Sequence, residues 1–133
     1  MTKLYDIAIV GGNVVGTIFA CLISEHTDLH IAVIDTLDVD NLLKSAGQSN
    51  LEYDSRVFAI NIASENVFRH LQLWQSIEAT RVSDFQRIEV WEQSSNKRLA
   101  FDSADLYQLK LGSIIEQKVI LAASYRLLQS RNN

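Results

Sequence analysis

The feature that most constrains this chain is a glycine-bearing corner near its start, "IVGGNVVG" at Ile9 to Gly16, set between two apolar segments of different period. Ahead of it, "LYDIAIV" (Leu4 to Val10) is a short, partly β-branched apolar run, which predicts a strand buried on both faces of a parallel sheet. Behind it, Val15, Ile18, Phe19, Leu22 and Ile23 recur at helical spacing and predict a helix with one apolar stripe, while Gly16 and Ala20 add a ridge of small residues. "HIAVID" (His30 to Asp35) predicts a second buried strand. Strand, helix and strand within about thirty residues make one βαβ unit. In such a unit the strand ends at the N-terminus of the helix, where unpaired backbone N–H groups and the helix dipole favour an anion.

A phosphate-binding corner of this kind follows the pattern G-x-G-x-x-G: the first glycine makes the tight turn, the second admits the diphosphate against bare backbone, the third lets helix and strand pack closely. Gly11 and Gly16 fill the first and third roles, and Asn13 stands where the second belongs. Asparagine tolerates positive φ, so the turn is expected to survive. Its side chain projects into the phosphate position, so binding is expected to weaken, with the amide rotated aside or donating a hydrogen bond. Three of the five glycines, Gly11, Gly12 and Gly16, fall at this one corner, which argues for a ligand over accident; a purely structural corner is the alternative. Asp35 ends the second strand, where an acid accepts hydrogen bonds from adenosine ribose hydroxyls, the alternative being a solvated loop carboxylate. Corner and acid together point to an ADP-containing dinucleotide without choosing between NAD and FAD.

The rest of the chain carries weaker patterns. Thr36 to Tyr53 is polar, includes Gly47, and predicts a loop with a short helix at Val39 to Ser45. "RVFAI" (Arg56 to Ile60) is a brief apolar segment. Val67, Leu71 and Trp74 then fall on one face of a helix that Asn61 or Ser64 would cap. "RIEVWEQ" and "RLAFD" predict a hairpin around Ser94-Ser95-Asn96, added to the first unit, and "GSIIE" (Gly112 to Glu116) a strand leading into a helix from Gln117 to Gln129. No internal repeat or low-complexity linker interrupts the chain, so one domain over 1–133 is expected.

Charge and composition exclude several classes. A net charge of -4 without a basic cluster would repel a phosphate backbone, so nucleic acid is not an expected partner. Ile7 to Ser24 is uncharged, but its glycines and its change from strand-like to helical period argue against a transmembrane segment, and Asp6 replaces the basic flank of a secretory signal. The single cysteine, Cys21, is expected to pack on the helix's apolar face, in keeping with a cytoplasmic setting. His26 and His30, with Asp28 between them, bracket a loop instead of sharing a helix face, so no metal site is expected; His70 reads as solvated. Ser24, Ser64 and Cys21 have no partners in a catalytic pattern, and Trp74 and Trp91 are expected to pack in the core or hairpin.

"DSRVFAIN" (Asp54 to Asn61), at this distance after the corner and the acid, resembles the D-x-R-x-x-A segment of flavin-dependent aromatic hydroxylases. "LQLWQSI", "IEVWEQ" and "GSIIEQKVI" follow in the same order as segments of the ubiquinone-biosynthesis hydroxylases, the 2-octaprenylphenol hydroxylase-like group, and the similarity runs along nearly all of the chain. The resemblance implies an α/β, Rossmann-like FAD-binding βαβ domain with an added hairpin, belonging to a class A flavin monooxygenase. Such an enzyme uses FAD reduced by NAD(P)H, with oxygen, to hydroxylate a phenolic ring carrying a polyprenyl tail. It also implies contact with other ubiquinone-biosynthesis proteins and a cytoplasmic place peripheral to the inner membrane. Carried over by position, Gly11, Gly12, Val15 and Gly16, with Asn13 in the turn, would face the diphosphate, Asp35 the ribose, Arg56 the flavin side and Gln117 the ribityl chain. For Arg56 the alternative is a surface ion pair with Asp54 or Glu52.

The departures from the family pattern shape the expectation for activity. Asn13 breaks the family's G-G-G-x-x-G turn, and the later Gly-Asp flavin motif, further sheet strands and substrate domain are not in this sequence. The chain is therefore expected to be an incomplete N-terminal part, inactive alone. Two alternatives stay open: a small nucleotide-binding Rossmann module without catalysis, and a non-functional remnant. The absence of proline, where average usage gives about six or seven, suits the last.

Overall fold

A computed structural model describes residues 4–46, 52–94 and 97–131; Gly47 of the polar loop and Ser95 and Asn96 of the hairpin turn lie outside the described residues. The chain runs β1 (Ile7–Val10), α1 (Val14–His26), β2 (Ile31–Ile34), α2 (Val39–Ala46), β3 (Val57–Asn61), α3 (Ile62–His70) and α4 (Trp74–Thr80). It continues through β4 (Ser83–Phe85), β5 (Arg87–Trp91), β6 (Arg98–Asp102), a 3-10 turn (Ser103–Leu106), β7 (Gly112–Glu116) and α5 (Gln117–Ser130). The fold is mixed α/β. β1 and β2 pair in parallel, Ile7 opposite Ile31 through Val10 opposite Ile34, with α1 as the crossover. β3 and β4 flank β7 in an antiparallel sheet, and the predicted hairpin is the pair β5–β6, a sheet of its own instead of an addition to the first unit. No helix among the described residues is long and apolar enough to cross a membrane.

The core gathers on α5. Val119, Ile120, Leu121, Ala122 and Ala123 are all buried, and Ile120, Val119 and Ala123 join Cys21, Phe68, Leu71, Leu73, Trp74, Ile77 and Ile115 in one apolar cluster. α1 packs on α5 through its small residues: Thr17, Ala20 and Cys21 are the buried positions of that helix. Across this contact the Ser124 hydroxyl donates to Thr17 Oγ1 (3.1 Å), and Cys21 Sγ lies 3.6 Å from the Ser124 carbonyl. Burial pushes the Cys21 thiol up to about 11, so the residue packs as expected and is unreactive near neutrality.

Four expectations fail for identifiable reasons. The stripe on α1 is only partly its buried face: Ile18 and Leu22 pack against the core, but Val15 is 84% exposed and Phe19 52%, because close packing on α5 selects the small ridge. β1 and β2 are not buried on both faces: Val10 is 84% exposed, since each strand has only the other as a neighbour among the described residues. The helix drawn through Val67, Leu71 and Trp74 is two helices. Asn61 does cap α3, its Oδ1 accepting from Ser64 N at 2.8 Å, but Gln72 at φ 60 ends it, with Leu73 N donating to Phe68 O and Gln72 N to Arg69 O. That bond pair is a Schellman closure with Gln72 in the position glycine usually takes. Finally, Trp74 is core but Trp91 is 68% exposed on β5.

A charge cluster centred on the buried Glu65 ties α3 to β7. Glu65 accepts from Arg69 Nη2 (2.7 Å) and pairs with Lys110 Nζ (2.8 Å), which also bonds Asp84 and Ser113. Burial pushes the Glu65 carboxyl upward, but Lys110 and Arg69 outweigh it and hold the group below its ordinary range.

Candidate functional site

The corner between β1 and α1 is built as its sequence requires, with one substitution of roles. Gly11 takes the positive φ, +107°, so the left-handed step falls there and not on Asn13, which is extended at φ -82°. A Cβ on Gly16 would lie 1.8 Å from the Gly11 carbonyl oxygen and 3.3 Å from Ile9 Cγ2; close helix-strand approach is the physical reason for that glycine. A Cβ on Gly12 would strike the Tyr125 hydroxyl at 2.2 Å and crowd Asp35 and Val33.

Asn13 caps α1. Its Oδ1 accepts from Val14 N (2.7 Å) and from Gln117 Nε2 (2.9 Å), so the amide is neither in a left-handed turn nor turned out of the corner. Gln117 begins α5 and its own N–H donates to the Arg56 carbonyl (2.9 Å). The first helix bond of α1 is Thr17 N to Asn13 O, and the N–H groups of Asn13, Val15 and Gly16 have no acceptor among the described residues. On the other side, Gly12 N donates to Asp35 Oδ2 at 2.5 Å and Leu37 N to Asp35 Oδ1 at 2.9 Å. The Gly12 N–H foremost, then the Leu37 N–H, holds the Asp35 carboxyl below its ordinary range.

Six of the eight expected residues (Gly11, Gly12, Asn13, Val15, Gly16 and Asp35) thus form one corner, and Gln117 reaches it from α5. Arg56 is tied to the group by its backbone, while its exposed guanidinium has no partner among the described residues; the ion pair with Asp54 or Glu52 is not formed there. Asp54 instead accepts from Arg56 N (3.0 Å) and Lys118 N (3.3 Å), binding the D-x-R segment to the first turn of α5. From Asn13 an apolar groove of about 610 Å³ runs along the outer face of α1, lined by Val15, Ile18, Phe19, Phe58 and Val67.

The chain is 30% identical over 128 residues to the mitochondrial ubiquinone biosynthesis monooxygenase COQ6 of Danio rerio, covering 96% of this chain and 26% of that protein. It is 29% identical over 125 residues to 3-demethoxyubiquinol 3-hydroxylase of Escherichia coli, covering 94% of this chain and 30% of that one. The COQ6 monooxygenase of Dictyostelium discoideum matches at 27% over 130 residues, 91% of this chain and 26% of its own. The chain is a homologue of the ubiquinone-biosynthesis monooxygenases. It spans 26 to 30% of the length of these relatives. No family model matches it.

Two contributors to the corner and its surroundings escape the sequence reading. Tyr125, buried on α5, donates its hydroxyl to the Gly12 carbonyl at 2.7 Å; burial, then the Asp35 charge, pushes its phenol upward, so it stays a donor. A tyrosine in an otherwise apolar helix is the available signal, since its hydroxyl must find a partner when buried. Glu116 accepts from Asp54 N (2.7 Å) and from Arg81 Nε (2.5 Å), pinning the chain ahead of Arg56 to the α5 start.

Proposed function

We propose that this chain is the N-terminal, Rossmann-like FAD-binding part of a flavin-dependent monooxygenase that hydroxylates a polyprenylated phenol in ubiquinone biosynthesis, with residues 1–133 an incomplete unit that is inactive alone. The observation that carries this reading is the corner itself: three N–H groups without an acceptor among the described residues, at the start of a 13-residue helix and beside an acid held on Gly12. The relatives named for ubiquinone biosynthesis and for hydroxylation support the reaction class.

The residues present fit such a cofactor. The N–H groups of Asn13, Val15 and Gly16 supply donors to a diphosphate at the positive end of α1. Open space beside Gly11, where an added Cβ would meet nothing within 4 Å, leaves its backbone approachable. Asn13 fills its Oδ1 with Val14 and Gln117, so it holds the Val14 N–H back from the ligand position. Asp35, ionised and held at the corner, keeps acceptor capacity for ribose hydroxyls. Arg56 would lie toward the flavin and Gln117 toward the ribityl chain. When bound, FAD supplies the oxygen chemistry with electrons from NAD(P)H, and this part of the protein contributes binding and orientation.

The test is a fluorescence titration of the purified chain with FAD, run in parallel with NAD. Saturable FAD binding that tightens in Asn13→Gly and is lost in Gly16→Ala supports the reading. Saturable binding of NAD without FAD would point to a nucleotide module of another kind, and binding of neither to a remnant.

A further inference from the structure

At the opposite end of α1 from the glycine corner, about 18 Å along a helix of this length, three potential metal ligands converge. Glu25 and His26 close α1, and His70 closes α3. The two imidazole rings are stacked with centroids 5.8 Å apart and planes 21° from parallel, and Glu25 Oε2 lies 3.4 Å from His70 Nε2. One ligand atom from each of the three lies within 4.8 Å of the other two. From sequence, no metal site is expected at His26 and His30, and His70 reads as solvated. In the structure His30 meets Asp6, Nδ1 3.6 Å from Oδ2, and His70 meets Glu25 and His26.

Three observations favour a cation there. The donor set, two imidazoles and a carboxylate, is one that zinc takes with a fourth position left open. The helix ends that carry it are fixed from beneath, since Cys21 of α1 and Phe68 of α3 belong to the same buried cluster, so the spacing is held without metal. Both helices present their C-terminal, partially negative ends to the cluster. The adjoining cations are committed elsewhere: Arg69 to Glu65, and Arg131 to the Cys21 carbonyl and Ser24 hydroxyl. Tetrahedral coordination needs ligand atoms about 3.3 Å apart and the metal in the plane of each ring, which requires these exposed side chains to turn the two imidazoles out of their stack.

We propose that Glu25, His26 and His70 bind one zinc-class transition-metal ion, with water in the fourth position, as a clamp between the ends of α1 and α3. The competing account is a surface Glu–His pair beside a ring stack, which contributes little. The site is independent of any nucleotide at the glycine corner.

The experiment uses the full chain, treated with a chelator and then titrated with zinc chloride by calorimetry and thermal unfolding, with magnesium chloride as control. One zinc per chain is expected, with Tm raised by about 5 °C or more at metal well above Kd, and no response to magnesium. His26→Ala and His70→Ala should each weaken binding by about tenfold or more, while His30→Ala leaves it unchanged; cobalt(II) should show the visible bands of a tetrahedral site. All three ligands are exposed, so these variants keep the parent's circular dichroism. Zinc binding no tighter than in the His26→Ala, His70→Ala double variant, or binding lost in His30→Ala, overturns the proposal.

Discussion

β7 with α5, and β1 with α1, are both apolar strands running into helices, yet they meet solvent in opposite ways. Along β7 and the first three turns of α5 nearly every side chain is buried, polar ones included, with Ser113 and Ser124 at 0% exposure and each hydrogen-bonded. Along β1 and α1 the large apolar side chains, Val10, Val15 and Phe19, remain exposed, and the small ones are buried. The difference lies in what each backbone corner does. Gly112 admits no Cβ because Ile60 O and the Phe85 ring press on it, so the β7 side is closed by this chain's own atoms. Gly11 has empty space where a Cβ would go, and the N–H groups of Asn13, Val15 and Gly16 have no acceptor among the described residues, so the β1 side is open at its backbone. Packing explains the first corner, and at the second it explains Gly12 and Gly16 but not the open backbone at Gly11.

That contrast can be broken most directly in the core. Ile120→Ala on the closed side should destabilise the chain by about 2–5 kcal/mol, whereas Val15→Ala on the open side should change stability by less than about 0.5 kcal/mol. Urea unfolding of the two variants measures both, and equal effects would erase the distinction. Gly16→Ala comes next. Alanine's helix preference is worth about 1 kcal/mol, but a Cβ against the Gly11 carbonyl forces a backbone shift. The net result is a loss of about 1–3 kcal/mol, read by the same unfolding curves.

Acid should affect both regions, through different groups. Glu65 on the closed side and Asp35 on the open side both have carboxyls held below their ordinary range. Each binds its proton more weakly folded than unfolded, so its contribution is complete above the unfolded value of about 4 and fades as pH falls through the lower folded value. Unfolding curves from pH 6 to pH 2 should show stability falling below about pH 4, with a shallower fall in Glu65→Gln and in Asp35→Asn. The smallest effect is that of Asn13→Gly, which removes the cap on Val14 and should cost only a few tenths of a kcal/mol, while exposing the Val14 N–H and tightening FAD in the titration.

Most elements were legible because period and punctuation agree: a β-branched run before glycines gave β1, a second such run ending at Asp35 gave β2, and the cap at Asn61 gave the start of α3. Which face of α1 would be buried was not legible. Hydrophobicity favours the Val15–Phe19 stripe, but the close approach of α1 to α5 is decided by side-chain size, a property of the pair that one helix does not reveal. The end of α3 was missed because Gln72 adopts a conformation that its residue type does not announce. At the corner, the glycines and Asp35 follow from spacing alone, whereas Tyr125 lies 113 positions from Gly12 and Gln117 lies 104 from Asn13, so only the folded chain joins them. The cap made by Asn13 suits its residue type, a preferred N-cap, but the glycine pattern it interrupts hides that role in the sequence.

The central claim is that the unpaired N–H groups of Asn13, Val15 and Gly16 hold a diphosphate. Amide NMR of the isotope-labelled chain during addition of FAD tests it residue by residue. The account predicts saturable shifts concentrated in Gly11 to Gly16 and at Asp35, with α5 beyond Tyr125 unmoved. Unchanged amides at Asn13, Val15 and Gly16 under saturating FAD, or shifts confined to another surface, would contradict it.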